Sequence, residues 1–461
     1  MTLVRSFALP FHLDQSIQLK GSSQKNRVSV LLGVNGTQKS SVLRGLLEDG
    51  LDRAPDDKRP SGLPTCATEW TVALPARVVA VSSAATDRFP ARANFGETRL
   101  LTRYDIAQYA YVGPRTGRNI VSRTQGVQTL LAEVMQLDVA PASVSAFIPE
   151  LSEKTTVPYK LSVTLAHRPS LGLARPSKDL LTLDAYLKYP ASPPGLRQHP
   201  RFVDQVYRAL SDSALLHEAE RLYLFIRKAP RGRLQVELDL SAADPVLGAK
   251  FSPRVIHFGL VAGFLRLENF ALVDGRGDAR SADAYSAGQW GLFSSLATAA
   301  FAARDRSLFL VDEPENALHP AWQREYIADF LRGISHCKGC HLFLATHSPL
   351  LVSSLGAKDA DLIGLRLISD RKVEVGLMDV PVGWEATDVL EDVFGLPSTR
   401  APAVVEKIES AMALIADGAS KNAIALEKIA KRLIPLLETL PEDDVARQVI
   451  ASICRISGVK P

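Results

Sequence analysis

Apolar positions along this chain fall into two rhythms. Short unbroken runs occur at Val28–Leu32, Arg77–Ser82, Ser307–Val311 and His341–Ala345. Runs of this kind predict strands buried on both faces. Between them lie stretches with a spacing near 3.6: Val42, Leu43, Leu46 and Leu47; Val127–Met135; Trp322–Leu331. Strands alternating with helices predict an α/β fold with a partly parallel, mixed central sheet, whose ligands collect at the carboxyl ends of its strands. Leu3–Pro10, Ser16–Leu19 and Trp70–Leu74 read as further strands, and Leu51–Ala67 as a loop. Helical spacing at Asp179–Tyr189, Phe202–Leu210 and Ala214–Ile226 predicts a mostly helical insertion over 125–240. Arg227–Leu240 reads as a hairpin turning at Pro230–Gly232, and Val255–Asp274 as strands. The last stretch, 401–461, predicts two or three amphipathic helices. The expected plan is an N-terminal lobe (1–124), the insertion (125–240), a C-terminal lobe (241–400) and a helical appendix (401–461).

Composition changes this picture little. The 461 residues are 46% hydrophobic and 23% charged, with a net charge of +4, which suits a globular chain with a sizeable core. Four cysteines do not make a disulfide framework in a chain of this length, so a reducing cytoplasm is the expected setting. The N-terminal MTLVRSFALPFHLDQ is broken by Pro10 and Asp14 and does not read as a signal peptide, and no run reaches the apolar length of a membrane span.

The candidate chemistry sits where the apolar runs end. Val28–Leu32 leads into Gly33-Val34-Asn35-Gly36-Thr37-Gln38-Lys39-Ser40-Ser41, with a helix after it. Strand, tight loop and helix N-terminus can surround a polyphosphate with N–H groups; Lys39 can reach its outer oxygens and the Ser40 hydroxyl can ligate Mg²⁺. Gln38 stands where that loop pattern has Gly. Ser307–Val311 ends in Asp312-Glu313: a carboxylate at a rigid strand tip suits a nucleotide-bound Mg²⁺, and Glu313 beside it suits polarising the attacking water. His341–Ala345 ends in Thr346-His347-Ser348-Pro349, which offers an imidazole to a γ-phosphate or a lytic water. Tyr285-Ser286-Ala287-Gly288-Gln289 opens a helix and reads as a cap suited to holding a phosphate. His336-Cys337-Lys338-Gly339-Cys340-His341 raises a zinc reading, but structural zinc sites join two separated ligand pairs and no second pair stands elsewhere, so a helix-to-strand connection is expected.

In order along the chain, GVNGTQKSS, YSAGQ, LFLVDEPENALHP and LFLATHSP resemble the ABC-type ATPases of the SMC and RecF kind. Within these they resemble the prokaryotic AAA-labelled ATPases of anti-phage defence, such as the ATPase subunits of Septu, retron-associated and PARIS systems, with Glu315–Pro320 as the D-loop. Glu391–Pro397 is similar to segments of the same defence ATPases. The resemblance covers about 1–120 and 240–370. It implies a P-loop ATPase head that uses ATP and Mg²⁺, with Asn35 to Ser41 around the phosphates, Ser40 and Asp312 on the metal, Glu313 as catalytic carboxylate and His347 as switch. Ser286 and Gly288 would act in trans in a head-to-tail dimer or a larger homo-oligomer. The signature reads Y-S-A-G-Q where L-S-G-G-Q or S-S-G-E is usual, and with Gln38 this implies either slow hydrolysis or ATP used mainly as assembly glue. A Q-loop glutamine cannot be assigned between Gln125 and Gln128. The implied role is a cytoplasmic sensor or scaffold for a separate effector, a nuclease first among candidates, answering a phage-encoded trigger. The rival reading is a repair or chromosome-maintenance ATPase that binds DNA directly, through Arg115, Arg118 and the basic stretch Arg227–Arg233. A transporter nucleotide-binding subunit is the third.

Overall fold

The computed structural model describes residues 3–10, 12–20, 26–51, 62–71, 73–84, 86–92, 104–116, 121–167, 183, 211–228, 232–356, 360–369, 372–396 and 398–460. They divide into two compact units, Met1–Trp384 and Glu385–Pro461.

The first unit is built on a seven-stranded sheet. Its strands are β3 (Arg27–Leu32), β5 (Arg77–Ser82), β6 (Tyr109–Val112), β12 (Ser307–Asp312), β13 (His341–Thr346), β14 (Ala360–Ser369) and β15 (Lys372–Met378). Their order is β15-β14-β3-β13-β12-β5-β6; every neighbouring pair is parallel except β14 and β15. The four predicted apolar runs are thus four adjacent central strands, and each is buried along its whole length. Alternate residues face opposite layers. Leu308, Leu310, Phe343 and Ala345 join a core with Val42, Leu43, Leu46 and Leu47 of α1 (Lys39–Gly50). On that side Phe7 of β1 (Val4–Leu9) meets Phe343 edge to face at 5.8 Å. On the other side Phe309 meets Phe330 of α7 (Pro320–Gly333) at 5.2 Å. A small sheet of β2 (His12–Gln18), β1 and β4 (Glu69–Trp70) carries the N-terminal strands; β4 is far shorter than Trp70–Leu74 promised.

The insertion differs from expectation. Helices α2 (Arg123–Val134), α3 (Ala142–Thr155) and α4 (Ser213–Lys228) are present, but 125–240 also supplies two central strands of a five-stranded antiparallel sheet. These are β7 (Lys160–His167) and β8 (Arg233–Asp239), flanked by β9 (Val246–Leu247), β10 (Leu265–Val273) and β11 (Ala279–Arg280) in the order β11-β10-β7-β8-β9. The burial of β8, Arg-Leu-Gln-Val-Glu-Leu-Asp, alternates residue by residue, as a half-buried antiparallel strand requires. Arg227 and Lys228 therefore close α4 rather than form a hairpin arm, and β8 pairs back to β7. The predicted strand region Val255–Asp274 is half helix. Ser252 caps α5 (Pro253–Val261) by accepting from the Val255 N–H, and Pro253 fits the first helical position, where no N–H partner is needed. The predicted helices at Asp179–Tyr189 and Phe202–Leu210 lie outside the described residues apart from Leu183.

The second unit begins at Glu385, ahead of the expected boundary at 401. It holds α8 (Pro402–Ala416), α9 (Ala423–Thr439) and α10 (Val445–Ile456) around a core of its own, in which Leu426, Ala430, Leu433, Ile450 and Ile453 are buried. Among the described residues no helix is long and apolar enough to cross a membrane.

Candidate functional site

Parallel registry sets the site. Asp312 lies beside Ala345 of β13 and Ser82 of β5, while Ala345 and Thr346 lie beside Leu31 and Leu32 of β3. The loops after β3, β12 and β13 consequently emerge side by side at one edge.

The phosphate-type loop keeps its shape through small residues and two left-handed ones. A Cβ on Gly33 would fall 2.5 Å from the Leu365 carbonyl oxygen and from Thr37 Oγ1, so only Gly fits. The Thr37 hydroxyl donates to the Val34 carbonyl at 2.8 Å. Gly36 has φ +87 and Gln38 φ +67. Gln38 thus adopts the backbone that glycine takes freely, at a cost of roughly 1–2 kcal/mol for a residue with a Cβ. It caps α1 with no side-chain bond, and its Oε1 is buried without a hydrogen-bond partner. Lys39 Nζ donates to the carbonyls of Gly33 at 2.7 Å and Val34 at 3.3 Å. Burial lowers its pKa, and Glu313, Asp312 and Glu315 oppose that shift. Val34, Asn35 and Gly36 are exposed at the loop tip, and the Ser41 hydroxyl accepts from Arg88 at 2.8 Å.

Ser40 Oγ donates to Asp312 Oδ1 at 3.1 Å, joining positions far apart in the chain. Burial pushes the Asp312 carboxyl up to about 7; the Ser40 bond opposes this, and the negative charges of Glu313 and Asp87 add to it. Glu313 leaves the strand with φ +47, held by its N–H on the Ala345 carbonyl (2.9 Å) and its own carbonyl on the Ser83 hydroxyl (3.0 Å). Its carboxylate accepts from Asn316 Nδ2 at 3.2 Å. His347 Nδ1 stands 3.6 Å from carboxylate oxygens of both Glu313 and Glu315. Glu315 Oε1 accepts from the Thr346 hydroxyl (2.7 Å) and the His347 N–H (2.8 Å), while its other oxygen is buried and unpartnered.

Lys39, Ser40, Asp312, Glu313 and His347 are therefore brought together. Ser286 and Gly288 are not joined to the phosphate loop by any described hydrogen bond. Ser286 caps α6 (Ala287–Ala302) in a reciprocal box with Gln289, whose Nε2 donates to Thr156 Oγ1 at 2.9 Å. Gly288 packs on the D-loop so closely that a Cβ would meet the Ala317 carbonyl oxygen at 2.3 Å. Between α6, the D-loop and the ends of β5 and β6 lies a largely apolar cavity of about 290 Å³, lined in part by Ser82, Gly113 and Trp290.

Sequence reasoning missed three partners. Asp87 reaches the site through its field on Asp312, and no motif marks it. Glu315, which ties Thr346 to His347, lay within the D-loop pattern but was given no role. Ser83 offered no signal. Gln125 Oε1 is buried without a partner in α2, and so is Gln128 Oε1, which leaves the Q-loop assignment where the sequence left it. Arg115, a candidate DNA contact, turns inward instead: its Nε donates to Asp87 Oδ2 at 3.2 Å. Arg118 lies outside the described residues.

A strand–loop–helix turn rich in small residues, a strand-tip Asp-Glu pair and a histidine after the next strand, on a mixed seven-stranded sheet, are consistent with a P-loop ATPase fold, the class of the AAA-labelled ATPases of anti-phage defence. The chain belongs to the family described as "AAA domain, putative AbiEii toxin, Type IV TA system", whose model matches residues 84–353. That match takes in Asp312, Glu313, His347, Ser286 and Gly288, and begins after the phosphate loop. The Septu protein PtuA of Bacillus thuringiensis is 32% identical over 108 residues, 22% of this chain and 25% of the relative, so the match spans a quarter of that protein's length.

An AAA family implies a nucleotide and Mg²⁺, and the donor set fits. Mg²⁺ takes hard oxygen ligands. Ser40 Oγ and Asp312 Oδ1 are two such oxygens beside the N-terminus of α1, and a bound cation would favour the buried Asp312 carboxylate that desolvation disfavours.

Proposed function

We propose that this chain binds and slowly hydrolyses ATP with Mg²⁺, and that the nucleotide state of its assembled form controls a separate effector, a nuclease first, in anti-phage defence. The observation that carries the reading is the meeting of Ser40, Asp312, Glu313 and His347 within hydrogen-bond and ion-pair distances. Lys39 and the loop N–H groups hold the phosphates, and Ser40 and Asp312 hold the metal. Mg²⁺, when bound, neutralises charge on the phosphate oxygens. Glu313, fixed by Asn316, orients and polarises water; His347 faces the γ-phosphate and is itself aimed by Glu315. Gly288, packed on the D-loop, and the cap residue Ser286 present a helix N-terminus to nucleotide on a second copy, which favours a head-to-tail dimer or a larger homo-oligomer. A cytoplasmic setting goes with this role. The effector link rests on family membership and the likeness to a Septu protein.

Direct DNA binding loses two of its expected contacts, because Arg115 pairs with Asp87 and Arg233 with Glu268. The test is a pair of variants. Lys39→Ala is expected to abolish ATP binding by calorimetry, and Glu313→Gln to keep binding while accumulating an ATP-bound assembly by light scattering. Normal ATP affinity in Lys39→Ala would falsify the site assignment.

A further inference from the structure

The loop Cys337-Lys338-Gly339-Cys340 joins α7 to β13 and takes no part in the chemistry above. Gly339, at φ +70, turns the chain between the two cysteines, and the two thiols perturb each other's titration. Asn26 clasps this turn from outside: its Nδ2 donates to the Cys337 carbonyl at 3.1 Å and its Oδ1 accepts from the Cys340 N–H at 3.0 Å. The Arg27 N–H adds a bond to the Cys340 carbonyl at 2.9 Å. One side chain thus holds the backbone of both cysteines in a closed turn before any covalent link forms.

Geometry divides the pair into attacker and partner: the Cys340 thiol donates to the Arg304 carbonyl at 3.3 Å, which ties down its proton and leaves Cys337 as the attacker. The Cys340 thiol, and after it His336, hold the Cys337 thiol below its usual range against the opposing effect of burial. Cys340 is pushed up by the same bond and by burial. A metal reading lacks its histidine, since His341 faces the core: its Nδ1 accepts from the Val4 N–H at 3.3 Å and its Nε2 pairs with Ser29 Oγ at 2.9 Å. Among the described residues no group of three metal-type ligands is present.

We propose that Cys337 and Cys340 form a dithiol modification site, which a small peroxide converts to an intrachain disulfide and a dithiol reductant restores. The Cys337 thiolate attacks one peroxide oxygen, the O–O bond breaks, and hydroxide leaves and is protonated by solvent. The Cys340 sulfur then attacks the resulting sulfenic acid; the S–O bond breaks and its oxygen departs as water with the Cys340 proton. Two electrons pass from the two thiols to the peroxide, which becomes two waters. Burial of both residues, Cys337 at 3% and Cys340 at 1% exposure, selects a small oxidant over a bulky disulfide.

The test uses the full chain with no nucleotide, so its outcome is independent of the ATPase reading. The folded protein is treated briefly with hydrogen peroxide, denatured, alkylated and mapped by mass spectrometry. The expected product has lost two hydrogens from the peptide holding Cys337 and Cys340, with Cys66 and Cys454 alkylated, and dithiothreitol restores the thiols. In Cys340→Ser the disulfide is absent and dimedone labels Cys337. Four alkylated cysteines after peroxide, or direct passage of Cys337 to sulfinic acid in the natural chain, overturns the proposal; because the map is read on the natural chain, it stands even if the variant fails to fold.

Discussion

Asp312 sits at the tip of β12 with its carboxyl pushed up to about 7 by burial, and a divalent cation must displace the proton that this favours. Affinity for Mg²⁺ with ATP is therefore expected to rise as pH passes through about 7 and to level off above it. Without nucleotide the sign is opposite. The folded carboxyl holds a proton that unfolded Asp releases near its ordinary value of 3.8, so this contribution to stability is complete below that value and is lost as pH rises through about 7. Melting curves at pH 6 and 8, with and without Mg²⁺ and ATP, check both, and Asp312→Asn should remove the difference. At Gln38 the left-handed backbone already suits glycine. Gln38→Gly relieves roughly 1–2 kcal/mol of strain but adds about 0.5–1 kcal/mol of unfolded-chain entropy, so stability should change little. Phosphate release should rise severalfold if the side chain crowds the nucleotide; a fall would make the Gln38 amide a working part of the loop. Of the candidate residues, Lys39, Ser40, Asp312, Glu313 and His347 were legible as neighbours because each follows an apolar run, which marks a strand tip without any knowledge of pairing. Asp87 was not legible, since its influence depends on Tyr111 and Arg115 folding over it, and no local pattern encodes that.

Elements were readable in proportion to how far local signals decided them. Central strands buried on both faces announce themselves, and α6 and α7 carry caps at Ser286 and His319. β7 was lost, and β8 was given the wrong partner, because half-buried alternation is weak and their true partners are distant in sequence. α5 was lost because its β-branched start masks the Ser252-Pro253 cap. The approach of α6 to the D-loop carries a prediction. Gly288→Ala places a methyl group 2.3 Å from the Ala317 carbonyl oxygen, so helix and D-loop must separate. ATP affinity of the single chain should hold within about twofold, under 0.5 kcal/mol, while ATP-driven assembly seen by ultracentrifugation should collapse. Retained assembly would show that the contact is incidental.

Two separate cores imply two melting events. The 1–384 unit holds the whole candidate nucleotide site, and 385–461 closes its own apolar cluster around Leu433. Calorimetry should resolve two transitions, of which Mg²⁺ with ATP raises one. Leu433→Ala, a fully buried truncation, should lower the other by about 2–5 kcal/mol and leave the nucleotide-sensitive one in place. Strand order has a further consequence at the ribosome. β3 emerges early, yet both of its sheet neighbours, β13 and β14, lie near the far end of the first unit. At about 5–20 residues per second, the strand that carries the phosphate loop waits tens of seconds with both edges unpaired. The nascent chain therefore offers chaperones a long-lived apolar strand, and a premature stop anywhere before β13 yields a product that must be degraded, because it cannot close its sheet.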